Sequence, residues 1–166
     1  NRIVIHKTTH FTKEEMEGIT NGLAGVDNIE LLQIQEFSAW RTIRFQNDTA
    51  TPFPVQRGTV IPLDKDTFLI WTHGSVQHDE LAGKNLNYYK NGRGIPAPLL
   101  VKRFMGKSSA QELVNEILML TKMNWNSGDG LYKILPVTLD FAKALSRVAK
   151  QDLVVYDRPY DFRYFM

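Results

Sequence analysis

The chain has 166 residues, 43% hydrophobic and 23% charged, with a net charge of +2 and no cysteine. That length carries one domain with a sizeable core, and no apolar run approaches the roughly 18 residues that a membrane-spanning helix needs. The lack of cysteine excludes a disulfide framework, zinc ribbons and thiol nucleophiles, and it fits a reducing, cytoplasmic setting.

The first residue is Asn1, and a β-branched apolar run, Arg2-Ile3-Val4-Ile5, begins at once, which reads as a chain that starts inside a longer protein. The strand gives way to HKTTHFT at His6–Thr12. His6 and His10 have zinc-like spacing, but only a helix would put them on one face, and two histidines without a third ligand make a poor zinc site. Thr12 and Glu15 form a predicted capping box, after which Met16, Ile19 and Leu23 recur at helical spacing until Gly22 and Gly25. His6–Phe11 is then a loop at the carboxyl end of a strand, where open α/β sheets place their chemistry. Ile29–Ile34 is a second strand, so the opening is a βαβ unit with parallel strands.

Short strands are predicted at Arg41–Phe45, Gly58–Leu63 and Thr67–Thr72. Asn47-Asp48, Pro52–Pro54 and Asp64–Asp66 separate them as turn formers, the pattern of an antiparallel meander. Leu99–Phe104 is another strand. Ser109 and Glu112 form a second capping box, with Leu113, Ile117 and Leu120 at helical spacing. A last helix is expected from Leu139 to Lys150, with Ala142, Leu145 and Ala149 inward, Thr138 as cap and Pro136 just ahead.

Charge is unevenly spread. From Leu81 to Gln111 there are six basic residues (Lys84, Lys90, Arg93, Lys102, Arg103, Lys107) and no acidic one, interleaved with Tyr88, Tyr89, Phe104 and glycines. Such a tract suits either the tracking of a sugar-phosphate backbone or a solvated loop and strand face.

Several segments in order, IHKTTHFT, QRGT (Gln56–Thr59), WTHGS (Trp71–Ser75), GIPAPLLV (Gly94–Val101), and LTKMNWN (Leu120–Asn126) followed by LPVTLDFAKALSRVA, resemble the carboxyl-terminal half of a prokaryotic Argonaute PIWI domain. The resemblance covers nearly the whole chain. It implies an α/β fold with an RNase H-like core, a mixed sheet flanked by helices, in which residues 1–166 are the C-terminal part of a PIWI domain with a MID domain upstream.

In that family, carboxylates hold two divalent metal ions that clamp the attacking and leaving oxygens of a phosphodiester. By resemblance the third carboxylate position falls at Thr8 or its neighbour and the fourth, an acidic or histidine position, at Lys143, so that a hydroxyl and an ammonium stand there. The expectation is therefore no catalytic residue here and no target slicing: a silent protein that binds guide and target nucleic acid. The same resemblance implies prokaryotic defence beside an effector such as a TIR or Sir2-like protein with an APAZ domain. It sets Lys122, Asn124 and Asn126 against the guide's seed phosphates, Arg147 and Lys150 toward its 5′ phosphate, and the Met166 carboxylate at a Mg²⁺ on that phosphate. Lys102 and Arg103 join them as nucleic-acid-binding candidates. A helix C-terminus is the alternative for Lys122 and the asparagines, solvated helix charge is the alternative for Arg147 and Lys150, and Arg57 suits its own turn better than a backbone contact. The alternatives are an RNase H-like nuclease with acidic residues upstream and a structural protein-interaction module.

Overall fold

The computed structural model of the protein describes residues 1–37, 39–76, 89, 94–123 and 133–151. Strand β1 (Arg2–Lys7) leads to helix α1 (Lys13–Gly22) and strand β2 (Asn28–Glu36). A ribbon of β3 (Ile43–Gln46) and β4 (Thr49–Pro54) follows, then β5 (Val60–Pro62), β6 (Thr67–Ile70), β7 (Leu99–Met105), α2 (Ala110–Leu120) and α3 (Val137–Gln151).

Among the described residues, five strands form one mixed sheet in the order β1-β2-β7-β6-β5. The expected βαβ opening is present: β1 and β2 are parallel, with Ile3 beside Ile29 and Ile5 beside Leu31. β7 is antiparallel to both β2 and β6, and β5 to β6. Both capping boxes form. The Thr12 and Ser109 hydroxyls accept from the Glu15 and Glu112 amides at 3.2 Å each, and the glutamates accept from the cap amides in return.

One sheet face carries Val4, Leu32, Ile34, Phe68, Ile70, Leu99 and Val101 against Leu113, Val114 and Ile117 of α2 and Leu139 of α3, a contiguous apolar core. On the other face Leu69 and Trp71 pack with Val55, Phe37, Ile61 and Leu100. Arg2 joins β1 to α2 through a two-pronged ion pair with Glu116 and a 3.1 Å bond to the Ser108 hydroxyl.

Four expectations are corrected. Pro52–Pro54 lies within strand β4, not in a turn; β4 has β3 as its neighbour in a separate ribbon, so a proline without an N–H is tolerated there. The expected meander is thus divided into that ribbon and the β5–β6 hairpin of the main sheet. Helix α3 starts at Val137, with the Pro136 carbonyl accepting from Leu139 (3.0 Å) and Asp140 (3.2 Å), so Thr138 lies inside the first turn and is not the cap. Ala142 is exposed, while Leu145 and Ala149 are half-buried as expected.

Candidate nucleic-acid interface

The carboxyl ends of β1 and β2 meet the first turns of α3 at one corner. There the Thr8 carbonyl accepts from the Gln35 side-chain amide at 2.9 Å and from that of Gln33 at 3.5 Å. His6 Nδ1 lies 2.8 Å from the Thr138 hydroxyl and ties α3 to β1. Lys143 donates to Glu36 at the end of β2 at 3.2 Å. Both side chains are largely exposed, so this ion pair adds about 1 kcal/mol or less; its consequence is the placing of a cation beside Thr8's end of the sheet. One turn earlier, burial pushes the Asp140 carboxyl above its ordinary range, against the opposing pull of Lys133 and Lys143.

Burial pushes the His6 imidazole down to about 4, against a smaller upward pull from Glu116. Unfolding frees His6 to take a proton below about pH 6.5, so the stability it contributes is present above that pH and lost as pH falls toward 4. The slope is at most about 1.4 kcal/mol per pH unit. His6→Gln keeps a polar partner for Thr138 without the charge and should flatten this limb of a urea-unfolding pH series; an unchanged limb would contradict the assignment.

From the corner, α3 presents Lys143, Arg147 and Lys150 at spacings of four and three residues, all exposed. At 1.5 Å per residue this is a ridge of positive charge about 10 Å long. Lys122 is exposed just past α2 and its amide donates to the Met119 carbonyl at 2.9 Å. Asn124, Asn126 and Met166 lie outside the described residues, as do Lys84, Lys90 and Arg93 of the basic tract.

Lys102 and Arg103 point to opposite faces. Lys102 is exposed, with its ammonium 5.3 Å from the Phe104 ring centroid. Strand register sets Thr67, Lys102, Gln33 and Lys7 abreast across β6, β7, β2 and β1, a polar row leading toward Thr8. Arg103 is half-buried and holds Asp66 at 2.9 Å and 3.1 Å and the Ser108 carbonyl at 2.6 Å, so its guanidinium braces the β7–α2 connection.

His6 and His10 do not converge: His6 faces α3, whereas His10 stands edge-on to Phe104 with ring centroids 4.6 Å apart. Arg57 acts structurally. Its Nη2 donates to the Leu118 carbonyl and the Thr121 hydroxyl, both at 2.8 Å, a cation on the C-terminal end of α2 where the helix dipole favours it. Glu36, Asp140, Gln33 and Gln35 were not singled out from sequence. The two glutamines carried a signal, a polar alternation inside an otherwise apolar strand.

No protein-family model matches the chain, and no curated protein matches its sequence. Solved structures match in fold. Clostridium butyricum Argonaute bound to a guide DNA and a 19-mer target DNA aligns with a TM-score of 0.64 at 16% identity, over 90% of this chain and 17% of that one. Aa-Ago with externally bound siRNA aligns at 0.64 and 19% identity, over 99% and 20%. Marinitoga piezophila Argonaute with a 5′ OH guide RNA aligns at 0.56 and 15% identity, over 99% and 20%. The chain spans a fifth or less of the length of these proteins. It has the α/β fold, a mixed sheet flanked by helices, of an Argonaute PIWI-like segment.

Proposed function

We propose that this chain, folded as an Argonaute PIWI-like segment, holds a guide strand and its target without cutting them, in prokaryotic defence against foreign nucleic acid. The observation that carries the proposal is the exposed ridge of Lys143, Arg147 and Lys150 running from the carboxyl end of the sheet. Ammonium and guanidinium groups along one helix face meet phosphates, which fix the position of a strand without reading its bases. Lys102, on the opposite sheet face, and Lys122, just past α2, are further exposed cations.

The silent character rests on Thr8 and Lys143. Two-metal cleavage requires carboxylate oxygens to gather Mg²⁺. A lysine ammonium repels a cation by about 4 kcal/mol per unit of charge at about 4 Å, with an effective dielectric of about 20. Glu36 and Asp140 at the same corner favour a second reading, a nuclease whose other carboxylates lie upstream. An effector protein of the TIR or Sir2-like kind, and a Mg²⁺ at the guide 5′ phosphate held by the Met166 carboxylate, belong to the proposal through the family resemblance.

A salt titration of nucleic-acid affinity tests binding. The full-length protein should lose affinity steeply between about 50 and 200 mM salt, with a log–log slope near −0.7 per phosphate contact on a single strand. Weak binding at every salt concentration would instead indicate a protein-interaction module.

A further inference from the structure

Where β2 ends, a cavity of about 190 Å³ opens between Glu36, His73, Ile134 and the segment Gly94–Pro98. The function proposed above does not use it. Three hydrogen bonds hold its walls from behind: the Trp71 indole donates to the Pro96 carbonyl at 3.2 Å, the Phe37 amide to the Pro98 carbonyl at 3.0 Å, and the Thr72 hydroxyl to the Ile134 carbonyl at 2.6 Å. Trp71 and Thr72 are fully buried, and the prolines at 96 and 98 stiffen the segment between them. The cavity is therefore formed before any ligand enters, which lowers the ordering cost of binding.

Size and charge decide what fits. Pockets for drug-sized molecules run to about 300–1,000 Å³, so this one admits a single ring between its proline and isoleucine walls. Among the described residues the lining carries one carboxylate, Glu36, and its Oε1 already accepts from Lys143 at 3.2 Å. That ammonium repels a second cation, which disfavours a lysine or arginine side chain from a protein. An apolar side chain would strip water from the carboxylate and return no hydrogen bond. A neutral ring with an N–H donor avoids both costs. Asparagine or glutamine of a protein has the donor but no anion, whereas a nucleotide also brings a phosphate, which Lys143 and the exposed Arg147 one turn further along α3 attract.

We infer that this cavity takes one unpaired base of the bound strand, and that Glu36 selects cytosine by accepting a hydrogen bond from its exocyclic amino group. A carboxylate pairs with cytosine N4 in this way, whereas uracil presents a carbonyl oxygen at the same place and is repelled. The inference rests on the proposed function, because the α3 ridge must hold the strand for a base to enter.

The test is fluorescence anisotropy of the full-length protein with labelled oligocytidine and oligouridine of equal length. The wild type should bind oligocytidine about five- to tenfold more tightly, the low end for a base contact. Glu36→Gln should bring the two affinities together, since an amide can turn to donate to the uracil carbonyl. Ala97→Leu fills the cavity while leaving the carboxylate and the ridge in place, and should also abolish the preference. Glu36 is exposed and Ala97 half-buried, so the fold should tolerate both changes. No preference in the wild type, or a preference that both variants retain, would overturn the inference, and salt-sensitive binding would leave the proposed function standing. No binding of either oligonucleotide would overturn both. Variants that bind both oligonucleotides as the wild type does but lose a protein contact would assign the cavity to a protein side chain and overturn the inference as well.

Discussion

Replacing Lys143, Arg147 and Lys150 together by glutamine is expected to weaken single-stranded nucleic-acid binding on the order of a thousandfold and to reduce the log–log salt slope by about 2. The affinity figure takes about 1.5 kcal/mol for each charge-assisted contact, and the slope takes about 0.7 for each phosphate. Glutamine propagates a helix nearly as well as lysine or arginine, and all three side chains are exposed, so α3 should persist and thermal stability should stay close to wild type. Lys13→Gln, an exposed lysine at the start of α1, removes one charge away from the ridge and should leave the affinity nearly unchanged. Equal losses from both variants would mean that net charge, and not the ridge, governs binding.

Gly106→Ala should cost about 3–5 kcal/mol and bring the chain close to unfolding. Gly106 has a φ of 131°, in a region that side chains rarely adopt. A Cβ there would also overlap the carboxylate of Glu30. Glu30 is fully buried on β2 and accepts from the Lys107 and Ser108 amides at 2.8 and 2.7 Å, which joins β2 to the entry of α2. It cannot step aside without leaving a buried charge unpaired. Burial acts against the ionised form, but these hydrogen bonds outweigh it and hold the Glu30 carboxyl below its ordinary range. Glu30 therefore contributes stability above about pH 4.5, and that contribution is lost as pH falls through the folded-state value. Gly18→Ala is the control: it lies inside α1 with open space around it, and alanine should stabilise by about 0.5–1 kcal/mol. Urea midpoints for the two variants should move in opposite directions; a tolerated Gly106→Ala would refute the lock.

The sheet and helices were legible where side-chain period and capping chemistry agree. Thr12 with Glu15 and Ser109 with Glu112 marked helix starts because each pair closes a local circuit of two hydrogen bonds. β4 was misread because Pro52 and Pro54 signal a turn unless one flank of the strand is unpaired, and pairing is a tertiary fact. The start of α3 was placed too late because the Pro136 carbonyl, and not the Thr138 hydroxyl, opens the helix.

At the candidate interface, the position of Thr8 at a strand end and the basic residues of α3 could be read along the chain. The partners could not. Lys143 with Glu36 joins residues 107 apart in sequence, and Arg103 with Asp66 joins residues 37 apart. Adjacent in sequence, Lys102 and Arg103 looked equivalent, yet strand alternation sends one to solvent and the other into a brace.

Holding without cutting is tested most directly by giving the full-length protein a guide strand, a labelled complementary target and Mn²⁺ or Mg²⁺ in one reaction, and following retention and integrity of the target together. The expected result is a target that is retained in a guide-dependent, salt-sensitive manner and recovered intact. A guide-directed, metal-dependent cleavage product that disappears on mutating Thr8 or Lys143 would contradict it.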